Sequence, residues 1–247
     1  MLEPATSAPG YLEDTIGREA AELIEDGSTL QIGIGTIPDA VLAQLRDRRD
    51  LGVHSGAIGD GIAALWEAGI VTNARKAIDI GVSITGSLIG GGRLRAFAHM
   101  NSALEMRGAE YTHAPDVLGR IDQLVALNSA VEVDLSGQVN SEVARGAYVG
   151  AVGGIVDFLR AAASSKGGRP IVALPSTSGD HSRIVTRLSG PVTVARSDPV
   201  IVVTEHGRAD LSGLSLRQRA RSLIAIAHPD HREALERDGR EMFGRFF

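Results

Sequence analysis

Apolar positions along the chain follow two patterns, the period of an amphipathic helix and the short continuous runs of buried strands. Spacing at i, i+4, i+7 and i+8 predicts a helix over residues 14–26, with an apolar face formed by Ile16, Ala20, Leu23 and Ile24. Apolar runs bounded by glycine or polar residues predict strands at 29–34, 51–55, 77–84, 170–174, 192–195 and 200–204. Further helices are predicted at 38–45, 60–68, 155–163, 215–227 and 229–235.

The order of these elements indicates the fold class. Over residues 29–84 strands and helices alternate, which favours a parallel sheet flanked by helices. The apolar run at 124–135, followed by Ser136-Gly137, predicts a long strand that enters a hairpin. We therefore expect one α/β domain with an open, mainly parallel sheet and helices on both faces. Its predicted limits are 11–240, between a disordered segment at 1–10 and a frayed tail at 241–247.

Composition narrows the classes of function. With 43% hydrophobic residues and a net charge of −5, the chain can bury a core but lacks the basic excess of a nucleic-acid binder. The sequence contains no cysteine, which excludes disulfides, cysteine-ligated zinc and a cysteine nucleophile. The first ten residues lack a signal-peptide pattern, and the apolar runs are too short to span a bilayer. We expect a cytoplasmic protein without nucleic-acid or membrane partners.

Glycine is abundant, with 30 residues, and two groups of glycines lie where a ligand could approach the backbone. Gly33-Ile-Gly35 ends a predicted strand and opens a helix, a position where backbone amides bind anions in α/β sheets. A tight turn without a ligand explains this motif equally well. A second loop, 149–154, also precedes a helix and would suit a thioester oxyanion, a carboxylate or a phosphate. Close packing of helix on sheet is the alternative there.

Several polar residues admit both a structural and a functional interpretation. The sequence His181-Ser-Arg183 lies in a polar loop, where it either contacts an anion or is an ordinary loop. Carboxylates in or beside apolar strands are either structurally paired or nucleophiles of acyl chemistry, and their spacing favours pairing. These are Glu132, Asp134, Glu142 and Glu205. Motifs of serine hydrolases and of phosphate-binding P-loops are absent from the sequence.

One block, residues 29–42, reads Thr-Leu-Gln-Ile-Gly-Ile-Gly-Thr-Ile-Pro-Asp-Ala-Val-Leu. It resembles a block of the acetyl-CoA hydrolase/transferase family, which includes the 4-hydroxybutyrate and butyrate–acetate CoA-transferases. Collinear similarity continues at 51–54, 60–61, 69–73, 128–142, 153–158, 174–177, 182–184, 202–207 and 226–229. The resemblance implies a CoA-transferase-like fold that corresponds to the C-terminal half of a two-domain enzyme. It also implies a homo-oligomer or a separate subunit that supplies the N-terminal half.

The resemblance implies covalent catalysis on an acyl-CoA, with a short carboxylate as the acceptor. In this family a glutamate attacks the thioester, and the released thiolate returns to form a glutamyl-CoA thioester. An acceptor acid then takes CoA in the transferases, and water acts in the hydrolases. No metal or redox cofactor is implied, because the CoA thioester is itself the substrate.

The site residues follow from matching the family's blocks position by position. His54 and Ser55 match a His-Thr pair, Asp60 matches the aspartate of a nearby Asp-Gly pair, and Gly56 stands where the family has its nucleophilic glutamate. Ile155 stands where a second block has glutamine. The expected contacts to acyl-CoA are Gly33, Gly35, Gly150, Gly153, Gly154 and Asn140.

Because glycine has no carboxylate, three interpretations of the chain stay open. It is an active CoA-transferase or hydrolase subunit that uses Glu142, Asp60 or a partner's residue as nucleophile. It is a catalytically impaired subunit that binds CoA. It is a structural subunit that completes an N-terminal half.

Overall fold

A computed structural model describes residues 10–244, and an eight-stranded sheet forms its centre. The helices are α1 Tyr11–Ala21, α2 Thr36–Ala43, α3 Asp60–Glu67, α4 Gly92–Ala98, α5 Ala109–Thr112, α6 Pro115–Leu118, α7 Ile155–Ser164, α8 Leu216–Ala225 and α9 Pro229–Phe243. The first strands are β1 Thr29–Ile32, β2 Gly52–Ser55, β3 Ser83–Thr85, β4 Leu104–Met106, β5 Leu124–Ser129, β6 Glu132–Asp134, β7 Val139–Asn140 and β8 Val143–Ala144. They are followed by β9 Ala147–Tyr148, β10 Arg169–Ala173, β11 Thr177–Ser178, β12 His181–Ser182, β13 Ile184–Val185, β14 Ile201–Thr204 and β15 Gly207–Asp210.

The strand order of the large sheet is β15-β14-β10-β5-β1-β2-β3-β4. Neighbouring strands are parallel throughout except for β15, which pairs antiparallel with β14. The expected α/β fold with an open, mainly parallel sheet is therefore confirmed. This topology brings the carboxyl ends of β1, β2 and β5 to the same edge of the sheet, because the three strands run in the same direction.

Side chains of the central strands alternate between two apolar cores, one on each face of the sheet. On β5, Val125 and Leu127 pack into one core, whereas Leu124 and Ala126 pack into the other. The first core is covered by α1 to α4 and the second by α6 to α9. Burial on both faces explains why these strands have continuous apolar runs in the sequence.

The 124–135 run forms two strands rather than the single long strand that we predicted. β5 ends at Ser129, and β6 belongs to a separate small sheet of order β13-β6-β7. The predicted hairpin is present, since β6 pairs antiparallel with β7. Its turn is fixed by Asp134, whose carboxylate accepts hydrogen bonds from the amides of Ser136 and Gln138.

Three other predicted elements differ from the structure. The strand expected at 77–84 is reduced to β3, because Asp79 and Gly81 adopt positive φ angles of 50° and 80° that interrupt an extended backbone. At 192–195 only an isolated bridge forms, between Val194 and Val139. The last helix, α9, continues to Phe243, into the segment expected to fray.

The predicted limits of the domain stay predictions. Residues 1–9 and 245–247 lie outside the described residues, which removes nearly all of the predicted segment 1–10 and the last three residues of the predicted tail 241–247. Within 10–244, no helix is both long enough and apolar enough to cross a membrane.

Candidate functional site

The carboxyl edge of the sheet collects the first group of predicted site residues. Gly33 directly follows β1, and its amide donates a hydrogen bond of 2.8 Å to the carbonyl of Leu127 on β5. Ser55 ends β2, and its hydroxyl donates to the carbonyl of Ala57 at 2.7 Å. Gly56 follows Ser55 at the same edge. The structure thus brings Gly33, Ser55 and Gly56 together, although the Ser55 hydroxyl is used in a local turn.

An imidazole that sequence reasoning missed lies between two of the predicted glycines. A Cβ atom on Gly56 would lie 3.1 Å from both Cε1 and Nε2 of His113. A Cβ atom on Gly154, which begins α7, would overlap ring atoms Cδ2 and Nε2 of the same histidine. The ring therefore occupies space that any side chain at these two positions would need.

The His113 ring is held from two sides. Its Nδ1 lies 2.8 Å from the hydroxyl oxygen of Thr112, and the ring packs at a tilt of 59° against Phe158 with ring centroids 4.8 Å apart. Among residues 10–244, its Nε2 has no hydrogen-bond partner. This nitrogen is not fully buried. The half-buried His113 thus presents a free ring nitrogen at the carboxyl edge. Its contact with Gly56 spans elements far apart in sequence, so no local pattern could have revealed it.

His54, predicted beside the nucleophile position, is fully buried beneath this edge. Its Nε2 lies 3.1 Å from the carbonyl oxygen of Thr112, which makes Nε2–H the donor, and its Nδ1 is buried without a partner. Burial, and then the positive charge of Lys76, lower the pKa of His54 to about 4. The neutral ring ties β2 to α5, the helix that directly precedes His113. The geometry favours a positioning role over direct contact with a substrate.

Asp60, the other predicted catalytic carboxylate, caps a helix. Its two oxygens accept hydrogen bonds from the amides of Gly91 (2.7 Å) and Leu94 (2.8 Å) at the start of α4. This capping satisfies amides that the first turn of a helix leaves without partners. Burial, and then the charge of Asp60, raise the pKa of nearby Asp39. The geometry assigns Asp60 to the support of α4, and its catalytic role stays a prediction.

The glycines of the second loop differ in what their backbones can offer. The amide of Gly150 donates to the carbonyl of Glu142 at 3.2 Å, so it is already used within the protein. Gly153 is exposed and has a positive φ of 53°, which allows the chain to turn into α7 at Gly154. At the first loop, Gly35 has a φ of 140° and precedes α2. The predicted contacts of these glycines with acyl-CoA stay predictions.

Asn140, predicted to bind the substrate, is fully buried with all its hydrogen-bonding capacity engaged. Its Nδ2 donates to Oε1 of Glu132 at 3.0 Å and to the carbonyl of Val143 at 2.8 Å. Its Oδ1 accepts from the amides of Glu142 and Val143, each at 3.0 Å. These bonds fix the loop after β7 and leave no polar atom of Asn140 for a ligand. In this conformation the structure gives Asn140 a structural role.

The strand carboxylates follow the structural interpretation that their spacing favoured. Glu132 accepts from the amide and hydroxyl of Ser189, and Glu142 accepts from the hydroxyl of Thr193. Further carboxylate hydrogen bonds come from Ser136 to Asp134 and from Ser176 to Glu205. The hydroxyl of Thr193 engages only Oε1 of Glu142, so the alternative catalytic role of Glu142 stays a prediction.

A cleft of about 320 Å³ beside the small sheet is lined by Arg145, His181 and Arg183, together with serine hydroxyls. Arg183 is half-buried, and within the described residues it forms no ion pair or hydrogen bond through its guanidinium. Burial, and then the charge of Arg145, lower the pKa of Arg183. Glu132 also lines this cleft, but among the described residues no carboxylate forms an ion pair with either guanidinium, and two neighbouring guanidiniums suit an anionic ligand. This favours the anion-contact interpretation of the His181–Arg183 loop.

Residues 90–239 match the model of the acetyl-CoA hydrolase/transferase C-terminal domain. The chain belongs to the acetyl-CoA hydrolase/transferase family. A 4-hydroxybutyrate coenzyme A transferase from Clostridium kluyveri is 44% identical over 98% of this chain and 58% of the relative. An acetyl-CoA hydrolase from Kluyveromyces lactis is 30% identical over 86% of the chain and 40% of the relative.

Solved structures of the family superpose closely on the chain. RipA from Yersinia pestis has a TM-score of 0.93 at 37% identity, over 98% of this chain and 56% of its own. A 4-hydroxybutyrate CoA-transferase from Porphyromonas gingivalis has a TM-score of 0.84 at 43% identity, over 97% of this chain and 58% of its own. The CoA-transferase-like fold that the resemblance implied is therefore confirmed. The chain spans about half the length of the curated relatives that it matches.

Proposed function

We propose that this chain is the C-terminal half of an enzyme that acts on short acyl-CoA thioesters, as a CoA-transferase or an acetyl-CoA hydrolase. The observation that carries the proposal is the meeting of Gly56 and Gly154 around the free nitrogen of His113, at the same carboxyl edge of the sheet as Gly33. Open α/β sheets bind ligands at this edge. The relatives named for CoA-transferase and acetyl-CoA hydrolase activity support acyl-CoA as the ligand class.

The two polar regions of the site suit the two ends of an acyl-CoA. Glycines at the carboxyl edge allow a thioester and the pantetheine arm to approach the backbone closely. The cationic cleft with Arg145 and Arg183 would hold the phosphates of CoA. The proposed reaction uses CoA as substrate, accepts a short carboxylate or water, and needs no resident metal or redox cofactor.

The proposal includes a second half that completes the site. The chain spans only about half of its relatives, so the opposite wall would come from an N-terminal half, supplied by the same protein, a separate subunit or a second copy. A cytoplasmic location is part of the proposal, because the acyl-CoA pool is its substrate source.

The alternative, an impaired CoA-binding or structural subunit, rests on one observation. Gly56 offers no carboxylate at the position where the resemblance places the family nucleophile. Loss of a nucleophile costs on the order of 10⁴-fold in rate or more when nothing replaces it. The relatives of this chain are named for enzyme activities, which weighs against a subunit without chemistry.

Binding and turnover test this proposal separately. Calorimetry with acetyl-CoA on the protein in its native assembly should show saturable binding below millimolar concentration. Absence of binding at millimolar acetyl-CoA would overturn the acyl-CoA assignment. Exchange of labelled acetate into acetyl-CoA, measured beside release of free CoA, then separates transfer from hydrolysis.

A further inference from the structure

We infer that His113 is the general base of a hydrolytic reaction, in which it activates water to attack the acyl-CoA thioester. The inference rests on the proposed function and narrows it from transfer to hydrolysis. An imidazole nitrogen without a protein partner lies at the position where the family nucleophile is missing.

Two aromatic rings fill the space beside Gly56 and Gly154. Gly56 has no side chain, and the atoms nearest to its Cβ direction belong to His113 and Phe158. The same two rings are nearest to the Cβ direction of Gly154. The space that a glutamate side chain at position 56 would fill is thus lined by the edge of the His113 imidazole. A water molecule placed there would face Nε2 rather than a carboxylate.

The Thr112 hydroxyl orients the His113 ring. The Thr112 hydroxyl lies 3.3 Å from the carbonyl oxygen of Gly108 and 2.8 Å from Nδ1 of His113. When the hydroxyl proton goes to Gly108, Nδ1–H donates to the hydroxyl oxygen and Nε2 keeps its lone pair. His54 holds the backbone of Thr112 from below, through its Nε2. This base, oriented by a second polar group, has the arrangement that general-base catalysis requires.

The reaction balances without a further co-reactant. Nε2 accepts a proton from water while the water oxygen bonds to the thioester carbonyl carbon. The tetrahedral intermediate then collapses, and the C–S bond breaks. The CoA thiolate leaves and takes the proton from Nε2–H, so that the products are a carboxylic acid and CoA. No glutamyl anhydride forms, because position 56 has no carboxylate, and an acceptor acid is not needed.

Substitution of His113 tests the inference in the native assembly. We expect H113A to lower the rate of CoA release from acetyl-CoA by 100-fold or more, the usual contribution of a general base. The Kd for acetyl-CoA should stay within about twofold, since substrate binding does not depend on the base. Added imidazole should restore part of the rate to H113A, because the small ligand can enter between the two glycines. H99A, which removes an exposed histidine outside the site, is the matched control and should behave as the wild type.

The outcomes separate this inference from the proposed function. If acetyl-CoA does not bind to the wild type, the proposed function fails and the inference fails with it. If acetyl-CoA binds but is not hydrolysed, or if H113A hydrolyses it at the wild-type rate, the inference alone is overturned. Loss of activity without imidazole rescue, in a folded H113A that binds acetyl-CoA, also counts against a base. H113Q, which keeps a polar side chain of similar reach but accepts no proton near neutral pH, should be as inactive as H113A. It serves in its place if H113A does not fold.

Discussion

The carboxyl edge of the large sheet and the hairpin of the small sheet treat their polar groups in opposite ways. In the hairpin, Asn140 and Glu132 hydrogen-bond each other and the surrounding backbone, and Asn140 has no spare capacity. At the edge, Nε2 of His113 faces two glycines without a partner among the described residues. Saturated buried polar groups specify a fold, whereas free and oriented ones are available for a ligand. The contrast separates structural from functional residues within one set of candidates.

The largest effect is expected from breaking the saturated region. N140A leaves Glu132 with one donor fewer and the amides of Glu142 and Val143 without their acceptor. Each unsatisfied buried group costs about 1–3 kcal/mol, so the free energy of unfolding should fall by about 4 kcal/mol. Urea unfolding measures this change. S141A, on the neighbouring residue, should shift it by less than about 0.5 kcal/mol. A stable N140A that no longer binds acetyl-CoA would show that Asn140 belongs to the substrate site.

Acid should destabilise the protein through His54. Its pKa is about 4 in the folded protein against an ordinary value of 6.5. Between these pH values the unfolded chain therefore binds a proton that the folded chain does not. The contribution is present in full above pH 6.5 and is lost as the pH falls to 4, by about 3 kcal/mol.

The H54Q variant isolates the contribution of His54 to the pH dependence of the unfolding free energy. Its unfolding free energy should depend less steeply on pH between 6.5 and 4, by the same ~3 kcal/mol, because glutamine does not titrate there. Denaturant unfolding of both proteins at several pH values provides the measurement. Parallel slopes would mean that His54 is not the titrating group.

A carboxylate restored at position 56 sharpens the comparison from the other side. G56E alone must displace the His113 ring, since even its Cβ would lie 3.1 Å from two ring atoms. We expect little exchange of labelled acetate into acetyl-CoA from G56E. In G56E/H113A the space is open, and exchange should be at least tenfold faster than in G56E, a difference of about 1.4 kcal/mol in activation free energy.

Two results would contradict this expectation. Exchange by G56E that equals exchange by the double variant would mean that the ring does not block the position. Absence of exchange in both variants, with acetyl-CoA binding intact, would mean that more than one group of the transferase site is lost.

The smallest effect is expected in the cationic cleft. R183A should weaken acetyl-CoA binding about five- to tenfold, roughly 1 kcal/mol, because it removes one charge-assisted contact to phosphate. Binding of a short thioester of N-acetylcysteamine, which lacks the phosphates, should not change. R237A, which removes an exposed arginine on α9, is the control for charge alone. Equal weakening for both thioesters would place Arg183 at the acyl end instead.

The sequence predicted those parts of the fold that depend on local periodicity. β1, β2 and β5 lie in predicted apolar runs, and Gly33 and Gly56 lie at the strand ends where they were expected. The prediction of a strand at 77–84 was wrong because of a contact between distant parts of the chain. The Asp79 carboxylate accepts a hydrogen bond from the Tyr111 hydroxyl while its backbone adopts a positive φ. Tyr111 lies 32 residues away, in a segment without apolar periodicity, so the sequence near Asp79 did not predict this contact.

The candidate site divides in the same manner. Matching of family blocks located the edge of the sheet and the missing carboxylate at Gly56. It did not find His113 or Arg145, because their roles depend on contacts between segments distant in sequence. It also placed Asn140 and Asp60 in the site; both side chains hydrogen-bond backbone amides, and their roles toward a substrate stay predictions. Residue type and spacing do not reveal whether a polar atom is already satisfied.

Gly154, at the start of α7, allows the position of the His113 ring to be changed by a substitution elsewhere in the chain. Its missing methyl group is the volume that the His113 ring uses. G154A would thus push the imidazole aside without removing it or changing any charge. The presence of the imidazole and its position can therefore be varied separately. H113A removes the ring, and G154A moves it by adding one carbon atom at the start of α7.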